Sequence, residues 1–186
     1  MLRITGGIHR SRQLFSPSGN NTRPTRSLIR EAVFSMLMRE VPDSRVLDLF
    51  AGSGAMGLEA LSRGAASCVF CDNGQEAIAC VKKNIDLLGL KEQSTALLMN
   101  WQDAVSKLAH EKNSFDLLFL DPPYKMDVGI ILSTINKAQL LDPDGIVVLE
   151  TGKNLAFEPM EPYEVIKERR YGDTMLRLMT QKEQEQ

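Results

Sequence analysis

The chain reads Val46-Leu47-Asp48-Leu49-Phe50-Ala51-Gly52-Ser53-Gly54 at the point where an apolar strand pattern passes into a glycine-rich turn. A helix pattern with leucines at 58 and 61 follows the turn. Gly52 and Gly54 can adopt positive φ and let backbone N–H groups approach a ligand closely. Together with Gly57, they have the spacing of the dinucleotide-binding pattern of nicotinamide enzymes. The stretch therefore predicts a cofactor site at a strand end and leaves the kind of cofactor open.

Strand and helix patterns alternate from Arg45 onward, which predicts a parallel sheet with crossover helices. The predicted strands are 45–50, 67–72, 95–99, 115–120 and 145–150, and the predicted helices are 54–63, 74–88, 101–110 and 128–140. Before them, residues 2–15 predict a β-hairpin, and Ser27 is predicted to cap a helix because Pro24 blocks an earlier start. After them, 163–168 and 174–180 predict two strands around Gly172, followed by a frayed tail at 181–186.

A second motif, Asp121-Pro122-Pro123-Tyr124, directly follows the apolar run 115–120. The two prolines end that strand and hold a carboxylate, a carbonyl and an aromatic ring in one corner. Asp121 and the Pro122 carbonyl can accept both hydrogens of an exocyclic amine while Tyr124 stacks on the base. These contacts aim the nitrogen lone pair at an electrophile, so the four residues are the predicted catalytic residues. A turn that only ends a core strand is the structural alternative.

Two acidic residues help to separate the possible cofactors. Asp48 precedes the glycines, where a carboxylate can meet a cationic amine but would repel a pyrophosphate. Asp72 ends the next predicted strand, where it can accept hydrogen bonds from ribose hydroxyls or cap the following helix. Asp48, Asp72, Asp103 and Asp121 all lie at or just past strand ends, and ligands of open parallel sheets bind beyond those ends. We expect the four carboxylates to converge on one edge of the sheet.

These motifs together resemble a class I S-adenosylmethionine-dependent methyltransferase. More narrowly, the chain is similar to the bacterial family that methylates the N2 amine of one guanine in 16S ribosomal RNA. The residues that carry the likeness are 3–7, 23–25, 30–34, 48–54, 57–64, 121–124 and 171–174, so it covers nearly the whole chain. Ser27 and Asp72 stand where relatives commonly carry Asp and Glu, and both substitutions keep an oxygen ligand in place.

The resemblance implies a seven-stranded, doubly wound, Rossmann-like α/β sheet whose last strand is antiparallel. The methyltransferase core would span 41–180, with a basic hairpin and helix at 1–40 in the same domain. The implied cofactor is S-adenosyl-L-methionine, and the implied substrate is 16S rRNA, free or in an assembling 30S particle, with guanine 966 as the target. The expected cofactor-binding residues are Asp48, Phe50, Ala51, Gly52, Ser53, Gly54, Asp72, Asn73, Gln102, Asp103 and Asp121.

Within that set, Asp48 and the glycines are assigned to the methionine end of the cofactor and Asp72 to its ribose. Asp103, with Trp101 or Gln102, is assigned to adenine. For Asp103, an acid that favours the helix dipole from the first helical turn is an equal alternative.

The charge of the chain is distributed unevenly. The net charge is -2, but residues 1–39 carry seven arginines and one glutamate, which gives +6. The remaining 15 basic and 23 acidic residues give -8. A basic arm on an acidic body is typical of a protein that binds a phosphate backbone, although a solvated charged face is the alternative. The predicted RNA-binding residues are Arg3, Arg10, Arg12, Arg23, Thr25, Arg26 and Arg30.

Composition and cysteine spacing restrict the classes of protein to which the chain can belong. The 186 residues, with 43% hydrophobic content, fit one domain with a full core, and no apolar run reaches membrane-spanning length. We expect a cytoplasmic monomer. Cys68 and Cys71 lie three positions apart on a strand, so they face opposite sides and cannot share a metal ion. Three other functions stay open: DNA adenine-N6 methylation, noncatalytic RNA binding in ribosome assembly, and, more remotely, nicotinamide oxidoreduction.

Overall fold

The computed structural model describes residues 2–17, 24–155, 157–158 and 160–182, with the backbone alone at 24–26. The helices are α1 (Pro24–Met36), α2 (Ala55–Ser62), α3 (Gln75–Leu88), α4 (Trp101–His110) and α5 (Val128–Lys137). The strands are β1 (Arg45–Asp48), β2 (Ser67–Asp72), β3 (Ser94–Leu98), β4 (Phe115–Leu120), β5 (Leu141–Gly152), β6 (Tyr163–Tyr171) and β7 (Thr174–Gln181). None of the described helices is long and apolar enough to cross a membrane.

The strands form a seven-stranded sheet in the order β3-β2-β1-β4-β5-β7-β6. Strands β1 to β5 pair in parallel, whereas β7 runs antiparallel to both β5 and β6. The predicted doubly wound sheet with an antiparallel last strand is therefore confirmed. The chain winds outward from β1 to β3 and then returns to place β4 on the other side of β1. In such sheets the ligand crevice lies beyond the carboxyl ends of the two strands at this switch point.

Side chains of successive strand residues enter two separate hydrophobic cores, one on each face of the sheet. Helices α1, α2 and α3 cover one face and α4 and α5 cover the other. In β4, for example, Leu117 and Phe119 enter the first core while Leu118 and Leu120 enter the second. Cys68 and Cys71 likewise lie in opposite cores, which confirms that they face away from each other.

Several predicted boundaries are wrong. Helix α1 begins at Pro24 and not after Ser27, because proline lacks only an N–H that the first helical turn leaves unpaired anyway. Strand β5 extends well beyond 145–150 at both ends. Residues 2–15 double back as predicted, but their ladder is reduced to one antiparallel bridge, between Arg3 and Gln13. Residues 183–186 of the predicted tail lie outside the described residues.

Glycine allows α2 to pack closely on the sheet. A Cβ at position 57 would lie 2.4 Å from Cε1 of Phe70 and 2.5 Å from Sγ of Cys68. Gly54, immediately before the helix, has a φ of 77° and so makes the turn that a residue with a side chain would resist. The glycine pattern thus serves both the turn and the helix–strand contact.

The N-terminal segment, residues 2–17, is attached to α2 through the buried carboxylate of Glu59. The backbone N–H and hydroxyl of Thr5 and the N–H of Gly6 donate to it at 2.7–2.8 Å. The guanidinium groups of Arg30 and Arg63 pair with it at 3.1 and 2.9 Å. Glu59 has no solvent exposure, and these five donors offset the cost of burying its charge.

Two further side chains hold the same segment. Ser62, at the end of α2, accepts from the N–H of His9 at 3.0 Å and donates to the carbonyl of Gly6 at 2.7 Å. The amide of buried Asn84 in α3 bonds both the N–H and the carbonyl of Phe15 and also donates to the carbonyl of Ser53. The segment therefore contributes fixed residues to the edge of the sheet where the glycine turn lies.

Candidate active site

A large cavity lies beyond the carboxyl ends of β1 and β4. The space between its walls, including space that is open to solvent, is about 1120 Å³. Leu2 and Ser16 of the N-terminal segment and Ser27 of α1 complete one side of it. Six of the residues assigned to the cofactor line it: Asp48, Phe50, Ala51, Gly52, Ser53 and Asp121. Of the residues assigned to the methionine end, Asp48, Gly52 and Ser53 therefore line one cavity, whereas Gly54 is not among its lining residues.

Asp48 is the buried acid of this cavity, with 4% of its surface exposed. Burial raises the pKa of its carboxyl from 3.8 to about 7, and the negative charges of Asp121 and Asp72 act in the same direction. The N–H of Gly57, which donates to it at 3.1 Å, opposes the shift. A cation placed against Asp48 would favour its ionised form, so the position suits a positively charged ligand group.

Asp72 fixes the glycine turn. One carboxylate oxygen accepts from the N–H of Gly52 at 2.9 Å, and the other accepts from the N–H of Gly74 at 2.8 Å. The alternative in which Asp72 caps the next helix is wrong, because Gly74 occupies the N-cap position of α3. The assignment of Asp72 to a ribose remains a prediction, and its half-buried carboxylate lies next to a turn that lines the cavity.

The residues assigned to adenine lie outside the cavity. Gln102 and Asp103 are exposed, and so is Asn73, which was assigned to the cofactor but not to its adenine. The N–H of Asp103 donates to the side chain of Asn100 at 2.9 Å, and the Asn100 amide donates back to the Asp103 carboxylate at 2.7 Å. This reciprocal cap supports the helix-stabilising alternative for Asp103, while Trp101 packs into the core. Their contact with adenine remains a prediction.

A smaller cavity lies beside the first. Its volume, again including space that is open to solvent, is about 410 Å³. Its walls include the four predicted catalytic residues, Asp121, Pro122, Pro123 and Tyr124. The ring of Tyr124 is 83% exposed. A Cβ at position 152 would lie 2.5 Å from its Cε1 atom, so Gly152 lets the ring lie close against β5. An exposed ring beside a proline corner can stack on a planar base.

Asp121 and Glu150 line both cavities. Asp121 was predicted from the sequence, whereas Glu150 was not. A signal was available, because Glu150 directly follows the apolar run Ile146-Val147-Val148-Leu149, just as Asp121 follows its own strand. These two residues therefore lie on the border that the two cavities share.

The arginine residues of the N-terminal region do not form one surface. Arg3, Arg10 and Arg12 are exposed, as RNA binding requires. The prediction for Arg30 is wrong: its side chain is 3% exposed and pairs with Glu59, so it is not available to a phosphate. Burial in that pair, which sequence spacing does not reveal, is the reason. Arg23 and the side chains of Thr25 and Arg26 lie outside the described residues.

Arg10 and Arg12 follow the residues that bond to Ser62, at the far end of α2 from the cavity. Eight helical residues separate that end from the glycine turn, which corresponds to about 12 Å along the helix axis. The backbone before these arginines is thus held at the far end of α2, and neither arginine lines either cavity.

Comparison with known proteins places this geometry in a family. The family model described as "Conserved hypothetical protein 95" matches residues 2–180. Ribosomal RNA small subunit methyltransferase D of Haemophilus influenzae is 30% identical over 178 residues, which cover 95% of this chain and 92% of that protein. The protein of the same name from Escherichia coli is 37% identical over 144 residues, with 77% and 68% covered.

The chain belongs to this family of ribosomal RNA methyltransferases. The solved structure of the Escherichia coli protein yhhF agrees with the assignment, with a TM-score of 0.87 at 27% identity, covering 98% of this chain and 99% of that one. The family resemblance inferred from the sequence motifs is therefore confirmed.

The buried acid yields a test that needs no ligand. The pKa of Asp48 is 3.8 in the unfolded chain and about 7 in the folded protein, so between these pH values folding is accompanied by proton uptake at Asp48. The free energy of unfolding of the wild type therefore decreases as pH rises through that interval. Asp48→Asn keeps an oxygen for the Gly57 N–H and does not titrate. Its free energy of unfolding relative to wild type should therefore rise between pH 4 and pH 8, by up to about 4 kcal/mol.

Urea unfolding of the ligand-free protein at both pH values measures this difference. Asp144→Asn, which changes an exposed acid on β5 at the opposite edge of the sheet, serves as the control and should show no such rise. A difference between Asp48→Asn and wild type that stays the same at pH 4 and pH 8 would show that burial does not perturb Asp48.

Proposed function

We propose that this chain transfers a methyl group from S-adenosylmethionine to the exocyclic N2 amine of a guanine in 16S ribosomal RNA. The observation that carries the proposal is the pair of adjoining cavities that share Asp121. One has the acidic wall and glycine turn suited to a charged cofactor, and the other has the proline corner suited to an amine-bearing base. The names of the relatives, small subunit rRNA methyltransferases, supply the class of acceptor.

The residues of the larger cavity fit the proposed cofactor. S-adenosylmethionine supplies an electrophilic methyl group because that group is bound to a positively charged sulfur. Asp48 would accept from its cationic amine, while the backbone of Gly52 and Ser53 would approach its carboxylate. Asp48, Asp121 and Asp72 are close enough for the charges of the latter two to raise the pKa of Asp48. A wall of this charge attracts a cation and should release a product that has lost one positive charge.

The smaller cavity would align the acceptor nitrogen. Asp121 and the Pro122 carbonyl would each accept one amine hydrogen, which localises the nitrogen lone pair, and Tyr124 would stack on the ring. The N2 amine of guanine is hardly basic, so its proton becomes acidic only as the bond from nitrogen to the methyl carbon forms. The bond between that carbon and sulfur would break at the same time, a neutral thioether would leave, and the amine proton would pass to water. Asp121 thus acts through position and charge, and alignment supplies most of the rate enhancement.

A base inside a duplex could not reach this corner. Enzymes that react with base atoms act on unpaired nucleotides or extrude the base, at a cost of a few kcal/mol. The target guanine is therefore expected in a loop or in a flipped conformation.

The larger cavity is assigned to the cofactor and the smaller one to the target base, and this assignment predicts the effect of Asp121→Ala. Its loss removes an acceptor from the amine but leaves Asp48 and the glycine turn in place. We expect turnover to fall by at least about 100-fold, while the loss of one charge from the cofactor cavity should raise the dissociation constant for S-adenosylmethionine by less than about tenfold. Tritiated methyl transfer to purified 16S RNA measures the first quantity and calorimetry the second.

Asp144→Ala is the control for a lost carboxylate at the opposite edge, and duplex DNA is the control acceptor. If Asp121→Ala loses cofactor affinity and turnover equally, Asp121 serves the cofactor and its assignment to the amine is wrong. Transfer by wild type to duplex DNA instead of 16S RNA would favour adenine-N6 methylation.

The position of Arg10 and Arg12, which line neither cavity, predicts an effect on RNA affinity and not on chemistry. On single-stranded RNA, each phosphate contact contributes a slope of about -0.7 to log affinity against log salt concentration. Replacing both arginines by Ala should flatten the slope by roughly one to one and a half units. Turnover at saturating RNA should change little, because neither residue lines the cavity that contains the corner at Asp121.

Fluorescence anisotropy with labelled RNA over a series of salt concentrations measures the slope. Lys112→Ala combined with Lys137→Ala is the matched control, since these exposed cations follow or end α4 and α5, which cover the opposite face of the sheet from α2. Equal slopes for wild type and the arginine variant would mean that the RNA docks elsewhere.

A further inference from the structure

Glu150 occupies the position on β5 that corresponds to Asp121 after β4. These strands pair in parallel with Leu120 opposite Leu149, so the next residue on each strand is Asp121 on one side and Glu150 on the other. Leu120 and Leu149 both enter the core under α4 and α5. Because strand side chains alternate, Glu150 faces the opposite side, where Phe119 and Val148 line the larger cavity with it. Asp121 lines the same cavity from the position just after β4.

The two carboxylates are held differently. Asp121 follows the last residue of β4, whereas Glu150 lies inside β5, opposite Leu176 of β7 in an antiparallel ladder that continues to Gly152. Neighbouring strands are about 4.8 Å apart, so the two side chains start side by side. A site residue on a paired strand is positioned more rigidly than one on a loop. Glu150 is therefore a fixed acceptor next to the corner that would hold the target amine.

The chemistry of the base edge indicates what such an acceptor can recognise. Guanine presents two neighbouring kinds of donor on its Watson–Crick edge, the N1–H and the N2 amine. Adenine presents one amine and, beside it, an N1 that is an acceptor. A flipped base is commonly recognised through this edge. A carboxylate beside the amine site would bond the N1–H of guanine and would face a lone pair of adenine.

We propose that Glu150 is the residue that determines specificity for guanine, by accepting the N1–H while Asp121 and Pro122 hold the N2 amine. This inference rests on the proposed function, which assigns the smaller cavity to the target base. Glu150 then accepts the hydrogen bond from N1, and Asp121 and Pro122 accept those from the N2 amine. Sites built around such a hydrogen bond can discriminate strongly, because an incorrect base leaves a buried acceptor unpaired.

A short RNA containing either guanine or 2-aminopurine at the target position tests this assignment. 2-Aminopurine keeps the exocyclic N2 amine but has an acceptor at N1, and it also lacks the O6 of guanine. The missing O6 affects wild type and variants alike, so a change in the ratio of kcat/KM between the two bases isolates N1. The variants are Glu150→Gln, whose amide can donate to an N1 acceptor, and Glu150→Ala, which removes the contact.

Wild type should favour guanine over 2-aminopurine by at least about 100-fold. Glu150→Gln should reduce that ratio at least about tenfold, with a gain on 2-aminopurine, and Glu150→Ala should reduce it through a loss on guanine. The dissociation constant for S-adenosylmethionine, measured by calorimetry, should change by less than about threefold in both variants. Glu164→Gln, an exposed acid on β6, should leave the ratio as in wild type.

Because Glu150 also lines the larger cavity, the calorimetry separates two roles. An unchanged base ratio in both variants overturns the inference, and an unchanged ratio with cofactor affinity weakened more than about tenfold assigns Glu150 to the cofactor instead. Melting temperatures identify a variant that fails to fold, and the other variant then gives the result. Absence of methyl transfer to guanine by wild type would contradict the proposed function itself.

Discussion

The buried carboxylate of Glu59 is the contact on which the architecture around the cavity depends. It joins three pieces of chain that are distant in sequence: the backbone at Thr5 and Gly6, Arg30 of α1 and Arg63 after α2. An unpaired charge at a site with no exposure would be strongly destabilising, so all three pieces must be present together. Leu2 and Ser27, which line the cavity, lie within a few residues of these contacts. The basic N-terminal region is thus part of the site wall as well as a surface that can meet RNA.

The negative charge around the cavity comes from a few acidic side chains at the ends of strands. Three parallel strands end in or beside an acid that lines it or holds its turn: Asp48, Asp121 and Asp72. Burial, and to a smaller extent the charges of Asp121 and Asp72, raise the pKa of Asp48, so keeping its carboxylate ionised in the empty protein costs stability. A ligand that carries positive charge relieves that cost, so the stability of the empty protein and its affinity for a cation are coupled. Glu150 is a further acidic residue, and it lines both this cavity and the smaller one.

Much of this could be predicted because the signals are local. The alternation of apolar runs and helices gave the parallel part of the sheet, and the glycine turn and proline corner both lie at strand ends, where parallel topology brings them together. Arg30 was assigned incorrectly because its partner, Glu59, is 29 residues away and its burial depends on tertiary packing. Glu150 was missed for a related reason, since only the pairing of Leu120 with Leu149 places it beside Asp121. Strand pairing and ion pairs between residues that are distant in the chain cannot be predicted from a single sequence.

The central claim is that the smaller cavity presents the N2 amine of a guanine to the methyl donor. The most direct measurement is mass spectrometry of nucleosides from 16S RNA that has been incubated with the purified protein and S-adenosylmethionine. Reference nucleosides separate the base and the position of the methyl group. Our account predicts N2-methylguanosine, appearing with wild type and absent with Asp121→Ala. Methyl groups found on adenine N6, or on a guanine atom other than N2, would contradict it.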